Sequence, residues 1–285
     1  MQNKTVTDKP LYPTSDDAPL AITKALSDAD FLTQHSARPL RILAEYFEPQ
    51  FRFRKEKVQD TVVFFGSARI KSREEAEELL HAAKHYDGDV AFAERQLDMA
   101  RYYEEARELA RRLTEWSSGL TETDRRFVVC TGGGPGIMEA ANRGAIEAGG
   151  KSIGLGIQLL FEQKPNRYIT PELNLEFHYF FMRKFWFSYL AKAMVVMPGG
   201  FGTLDELMEI VTLIQTQKMR KKLPVVLFGK KFWDQVLDFQ PMVDLGTISP
   251  EDRSLFLETD SVDEAFDYLT RHLLHWALAH PGGKL

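Results

Sequence analysis

Two carboxylates, Asp205 and Glu206, stand just after a glycine-rich turn that can hold an anion. The stretch Val195-Val196-Met197-Pro198-Gly199-Gly200-Phe201-Gly202-Thr203-Leu204-Asp205-Glu206 reads as a strand, a turn and the first turn of a helix. Glycines carry no Cβ, so their backbone N–H groups can converge on a phosphate, and a helix N-terminus adds about half a positive charge. Leu207, Met208, Ile210, Val211 and Ile214 then recur at helical spacing. A second turn of this kind, Gly132-Gly133-Gly134-Pro135-Gly136, follows the apolar run from Phe127 and precedes Ile137 and Met138. Two such turns in one sheet suggest one phosphorylated ligand held between them. Thr203 and Glu206 also have the spacing of a capping box, in which Thr203 caps the helix and Glu206 reaches back to the N-cap N–H.

Other glycine signatures fail on the letters. Neither turn has the Gly-Lys-Ser/Thr ending of a P-loop, and a dinucleotide fingerprint lacks its third glycine, because positions 137 and 205 are Ile137 and Asp205. A Gly-x-Ser-x-Gly nucleophile elbow is absent. Cys130 is the single cysteine, so neither a disulfide framework nor a cysteine-based zinc site forms within one chain. His272, His275 and His280 lack the carboxylate or HExxH context of a metal site and read as surface or packing histidines.

The elements that must position these groups alternate along the chain. Residues 61–69 read as a buried first strand ending in a turn, 72–86 and 89–115 as two charged helices, and 151–157 as a short third strand. A further strand is expected at 176–180, a helix from Met182, a strand at 223–228 and a terminal helix at 262–279. Strand–helix alternation over about 180 residues implies an α/β fold, a Rossmann-like, doubly wound, mostly parallel sheet in three layers. Ligands in such sheets lie beyond the carboxyl ends of the strands, where Ser67, Gly133 and Gly200 fall. The expected organisation is an N-terminal arm and helical extension (1–58), a Rossmann-like nucleotide-binding domain (59–240) with a helical insertion at about 71–100, and a helical tail (241–285) packed on that domain. The 285 residues are 44% hydrophobic and 27% charged with net charge -5, which gives no general pull toward nucleic acid or anionic membrane. With no apolar run long enough for a membrane span and no signal-peptide pattern, a cytoplasmic location is expected.

Taken together, Gly132 to Met138 and Pro198 to Glu206 resemble the GGGxxGxM and PGGxGTxxE pair of the LOG (LONELY GUY) family, often labelled lysine decarboxylases. Arg183-Lys184, 23 residues before Glu206, resembles the family's Arg-Lys pair. The resemblance covers about residues 60 to 235, and the added terminal segments and insertion resemble the longer bacterial branch. It implies a phosphoribohydrolase that cleaves the N-glycosidic bond of a nucleoside 5′-monophosphate, AMP or a cytokinin riboside monophosphate, to free base and ribose 5-phosphate. No metal or organic cofactor is implied, and the assembly implied is a homodimer or higher homo-oligomer. Arg183 and Glu206 are the implied catalytic pair, with Arg183 holding Glu206 ionised. Ser67, Gly133, Gly134, Gly136, Met138, Glu162, Lys184, Gly199, Gly200, Gly202, Thr203 and Thr212 are the implied substrate contacts. Phe180 and Phe181 crowd the approach to Arg183, so the letters do not fix the base. Two competing readings are a non-catalytic nucleotide sensor of the same fold and a pyridoxal-dependent decarboxylase, for which no lysine stands out.

Overall fold

The computed structural model describes residues 24–86, 88–120, 125–159 and 164–283. The chain divides into two compact units, Met1–Ala44 and Glu45–Leu285, and the division falls within one helix. The described part of the first unit holds short helical turns and α1 (Ala29–Thr33), capped by the Asp28 carboxylate accepting the Phe31 N–H at 2.9 Å. Helix α2 (Arg38–Lys55) runs into the second unit.

The second unit is built on seven strands. β1 (Thr61–Phe65), β2 (Val128–Thr131), β3 (Ser152–Ile157), β4 (Asn174–Phe177), β5 (Ala191–Val196), β6 (Val225–Phe228) and β7 (Leu257–Thr259) pair in the order β4-β3-β2-β1-β5-β6-β7. Every pairing between these strands is parallel. The central strands are buried along their whole length, which is why they read as unbroken apolar runs rather than alternating ones. β4 begins earlier than the letters suggest. The three-residue β7 was not foreseen, because so short a run carries little period.

The insertion forms α3 (Arg73–His85) and α4 (Val90–Ser118). Ser72 and Glu75 form a reciprocal capping box at the start of α3, and Asp89 caps α4. Helices α5 (Ile137–Glu147), α6 (Phe180–Tyr189), α7 (Phe201–Gln215), α8 (Lys230–Val236), α9 (Gln240–Asp244) and α10 (Val262–His272) complete the unit. Phe64 turns into the main core with Leu109, Leu113 and Leu269, whereas Phe65 packs edge-on against Phe187 of α6 at 4.9 Å. Adjacent β1 residues thus serve opposite faces of the sheet. Among the described residues, no helix is long and apolar enough to cross a membrane.

A buried ionic cluster fastens the tail at the amino end of the sheet. Asp60 is fully buried, pairs with Arg126 and accepts the Gly282 N–H at 3.0 Å, with Lys192 3.5 Å away. Arg126 also donates to the carbonyls of Ala277 and Leu278, and Lys192 donates to those of His280 and Gly282. These bonds satisfy charges that would otherwise be costly to bury. Asp60→Ala is therefore expected to destabilise the fold by about 3 kcal/mol or more, seen as a lower urea midpoint. An unchanged midpoint would show that the cluster contributes nothing net.

Candidate active site

Three turns meet at the carboxyl ends of β1, β2 and β5. The Ser67 N–H donates to the Pro198 carbonyl at 3.0 Å, and the Ile137 N–H donates to the Ser67 carbonyl at 3.1 Å. The β1 turn is thereby tied to both glycine turns. Gly136, at the N-cap of α5, has φ 69°, and a Cβ there would lie 2.4 Å from the Ser67 oxygen. Only glycine both adopts that backbone and allows this contact. Gly199 answers a different need, since its missing side chain makes room for Thr203, whose Oγ1 would be 2.1 Å from a Cβ. Gly200 and Gly202 have open space where a side chain would stand.

Buried amides hold the Gly132 to Gly136 turn. Asn166 donates from Nδ2 to the carbonyls of Gly133 at 3.1 Å and Gly134 at 2.9 Å, and to Asn142 Oδ1 at 2.9 Å. Thr131 Oγ1 donates to Asn142 Oδ1 and accepts the Gly133 N–H. Neither asparagine stands out in the sequence, because a lone Asn looks like a loop residue until its partners are assembled. Glu45 was missed for the same reason. Its carboxylate accepts the N–H groups of His178 at 2.8 Å and Tyr179 at 3.2 Å, and its carbonyl accepts Trp186 Nε1 at 3.0 Å. A residue of α2 thus fixes the start of α6, the helix that carries Arg183.

The turns enclose a cavity of about 710 Å³ that contains Ser67, Gly199, Gly200, Gly202, Thr203, Arg183 and Glu206. A second cavity of about 430 Å³ contains Gly133, Gly134, Ile157, Leu159 and Leu175. Gly132, Met138, Phe180 and Arg183 line both. Arg183 Nε donates to the Leu155 carbonyl at 2.8 Å, and its guanidinium lies 5.0 Å from the centre of the Phe187 ring. A Cβ on Gly132 would stand 2.6 Å from Arg183 Nη2, so only glycine leaves the arginine its place.

Glu206 is only 7% exposed. Burial pushes its carboxyl up to about 7, against the opposing pull of Lys184 and Arg183, while Glu209 and Asp205 add to the rise. Arg183 therefore does not hold Glu206 in the ordinary ionised range, as the sequence reading expected; desolvation outweighs the two cations. The same burial lowers the Arg183 guanidinium from its usual value, with Glu206 opposing. The capping reading is also overturned. Gly200 is the N-cap of α7 without a side-chain cap, while Thr203 and Glu206 lie inside the helix and are buried. Their spacing matches a capping box, but the helix starts three residues too early to use it.

Other expected contacts fall elsewhere. Lys184 is tied to Asp205 at 2.8 Å and Glu209 at 2.7 Å and lines neither cavity. Gly136 shapes the turn but faces a separate cavity of about 530 Å³ beside α3 and α4. Thr212 is exposed on the far side of α7, beside Met208 and Phe239. Glu162 lies outside the described residues. Cys130 is buried and its thiol is pushed up by that burial, opposite to what a nucleophile needs. Among the described residues, no group of three or more His, Cys, Asp or Glu side chains could hold a metal ion.

The fold and site define an α/β protein with a glycine turn beside a desolvated Arg-Glu pair, and comparison with known proteins finds several likenesses. The family model described as "Possible lysine decarboxylase" matches residues 138–269. The chain is 27% identical over 176 residues to a probable cytokinin riboside 5′-monophosphate phosphoribohydrolase of Oryza sativa subsp. japonica, covering 54% of this chain and 77% of that one. It is 28% identical over 153 residues to a cytokinin riboside 5′-monophosphate phosphoribohydrolase of Arabidopsis thaliana, covering 51% and 70%. A solved structure of the molybdenum cofactor carrier protein of Chlamydomonas reinhardtii aligns with 76% of this chain and 99% of its own, at 17% identity and a TM-score of 0.44. The chain resembles the LOG family, as its two glycine turns indicate.

The raised carboxyl of Glu206 has a consequence for stability. A group that binds its proton more tightly when folded contributes stability below the unfolded value, near 4.5, which is lost as pH rises through about 7. That loss amounts to about 3 kcal/mol at pH 8. Glu206→Gln is expected to melt several degrees above the wild type at pH 8, with the gap closing toward pH 5. A gap independent of pH would contradict the burial account.

Proposed function

We propose that the protein hydrolyses the N-glycosidic bond of a nucleoside 5′-monophosphate, releasing free base and ribose 5-phosphate. The observation that carries this reading is the placement of Glu206. It is a nearly buried carboxylate beside Arg183, in the second turn of α7, the helix that starts directly after Gly199 and Gly200. The named activity of the plant relatives supports the same reading.

Cleavage of an N-glycoside passes through an oxocarbenium-like state and needs a negative charge near the sugar and a base for water. In the proposed complex the 5′-phosphate sits on the Gly199 to Thr203 turn at the N-terminus of α7. The ribose then lies against Glu206, and the base extends into the second cavity past Phe180 and Met138. The ionised Glu206 stabilises the sugar cation and takes a proton from the attacking water. A carboxylate that titrates near neutral pH suits that transfer better than an ordinary glutamate, since a stronger base abstracts a proton more readily. Arg183 orients the ribose side of the substrate through a rigid, charged fork. Binding of the remote phosphate supplies the energy that holds the reacting carbon in place.

A decarboxylase that forms a Schiff base needs a lysine facing its substrate. No lysine lines either cavity among the described residues, and Lys184 is engaged by two carboxylates. The half-exposed Phe180 and the almost fully exposed Phe201 line the cleft, and Phe181, next to Phe180 on α6, is half-exposed. They support the proposal that a second copy of the chain covers this face.

Incubation with AMP and a prenylated adenosine monophosphate, with products separated by chromatography, is expected to give base and ribose 5-phosphate. kcat/KM is expected to rise with pH through about 7, about tenfold per unit on the acid limb, as Glu206 ionises. Glu206→Gln keeps the shape of the side chain and is expected to fold while losing about a thousandfold or more in kcat. Binding without turnover by the wild type would make the protein a sensor, and full activity in the Gln variant would remove Glu206 from the mechanism.

A further inference from the structure

A phosphate monoester carries close to two negative charges at neutral pH, whereas the turn before α7 offers it backbone dipoles alone. Among the described residues, the cations lining the larger cavity are Arg69 and Arg183. Arg183 is assigned to the ribose side, with Nε on the Leu155 carbonyl and its guanidinium against Phe187. Lys184, the neighbouring cation, is neutralised by Asp205 and Glu209.

Arg69 differs in each respect. Its backbone N–H donates to Ser67 Oγ at 3.1 Å, on the turn that is bonded to both glycine turns, so its Cα is well placed. Its side chain is exposed, and its guanidinium makes no hydrogen bond or ion pair with another described residue. It stands where the 710 Å³ cavity meets two others, of about 210 and 530 Å³, and so has room to swing. A rooted backbone with an exposed cation that no described residue engages, beside the glycine turn, is the arrangement of a clamp.

We propose that Arg69 closes over the phosphate on the Gly199 to Thr203 turn and makes the site selective for phosphorylated substrates. This inference rests on the proposed reading of the cleft. The guanidinium donates two charge-assisted hydrogen bonds to phosphate oxygens, while the amides of the turn hold the opposite side. Because the contact is remote from the glycosidic bond, Arg69 acts mainly on substrate binding.

The test uses inorganic phosphate as the probe, by calorimetry on the full-length protein and as an inhibitor of AMP turnover. Arg69→Ala is expected to weaken phosphate binding about tenfold or more, to raise KM for AMP by a similar factor, and to change inhibition by free adenine less than about twofold. Arg69→Lys, which keeps the charge without the fork, is expected to recover part of the loss. Unchanged phosphate affinity in Arg69→Ala overturns the proposal, as does an equal loss of adenine binding, which would mark general damage to the cleft. If the wild type binds phosphate but does not hydrolyse AMP, the hydrolase reading fails, while the calorimetric comparison still decides the role of Arg69.

Discussion

Desolvation of Glu206 is the constraint around which the rest of the site is arranged. A carboxyl 7% exposed resists ionisation, and two nearby cations do not restore it to the ordinary range. Had Glu206 capped α7 as its spacing allows, it would be a solvated surface group with little catalytic use. Instead Gly200 takes the N-cap, and the helix begins at Phe201, which carries Glu206 inward. The absence of a side chain at Gly199 then lets Thr203 seat against the turn. The glycine-turn backbone and the buried carboxylate are thus consequences of one helix start.

The partner of Glu206 is placed by a longer chain of contacts. Arg183 needs the bare Cα of Gly132, the Leu155 carbonyl and the Phe187 ring, which come from β2, β3 and α6. Helix α6 is in turn fastened at its start by Glu45, which lies more than a hundred residues earlier in the chain. At its end, the carbonyls of Ser188 and Tyr189 accept Lys221 Nζ. Both ends of the helix that carries the arginine are therefore held by polar side chains from other parts of the chain. Such support keeps a desolvated arginine in one orientation, which a catalytic role requires.

The parallel sheet and the position of the candidate cleft were legible because both rest on local patterns. Apolar strands such as 61–65 and 191–196, glycine turns and helical periods each lie within a dozen residues. The three turns could then be placed at one end of the sheet by topology alone. What was not legible depends on contacts between distant residues. Glu45, Asn142 and Asn166 have no signature until the fold brings their partners to them. Lys184 sits beside Arg183 in the sequence, yet on a helix adjacent residues point about 100° apart, and it leaves the cleft to meet Asp205 and Glu209. The balance between burial and opposing charge at Glu206 is a property of the assembled cleft, so spacing alone misjudged its ionisation. The letters likewise allowed a capping box at Thr203 and Glu206, because the helix start is set by the packing of Gly199 and Gly200.

The most direct measurement is a carbon NMR titration of carboxyl-labelled glutamate, with the Glu206 resonance assigned from the spectrum of Glu206→Gln. The account predicts a midpoint close to 7, two or more pH units above that of exposed glutamates. A midpoint in the ordinary range, near 4.5, would contradict it: Glu206 would then be a solvated group, and the desolvated Arg-Glu pair on which the proposed hydrolysis rests would not exist.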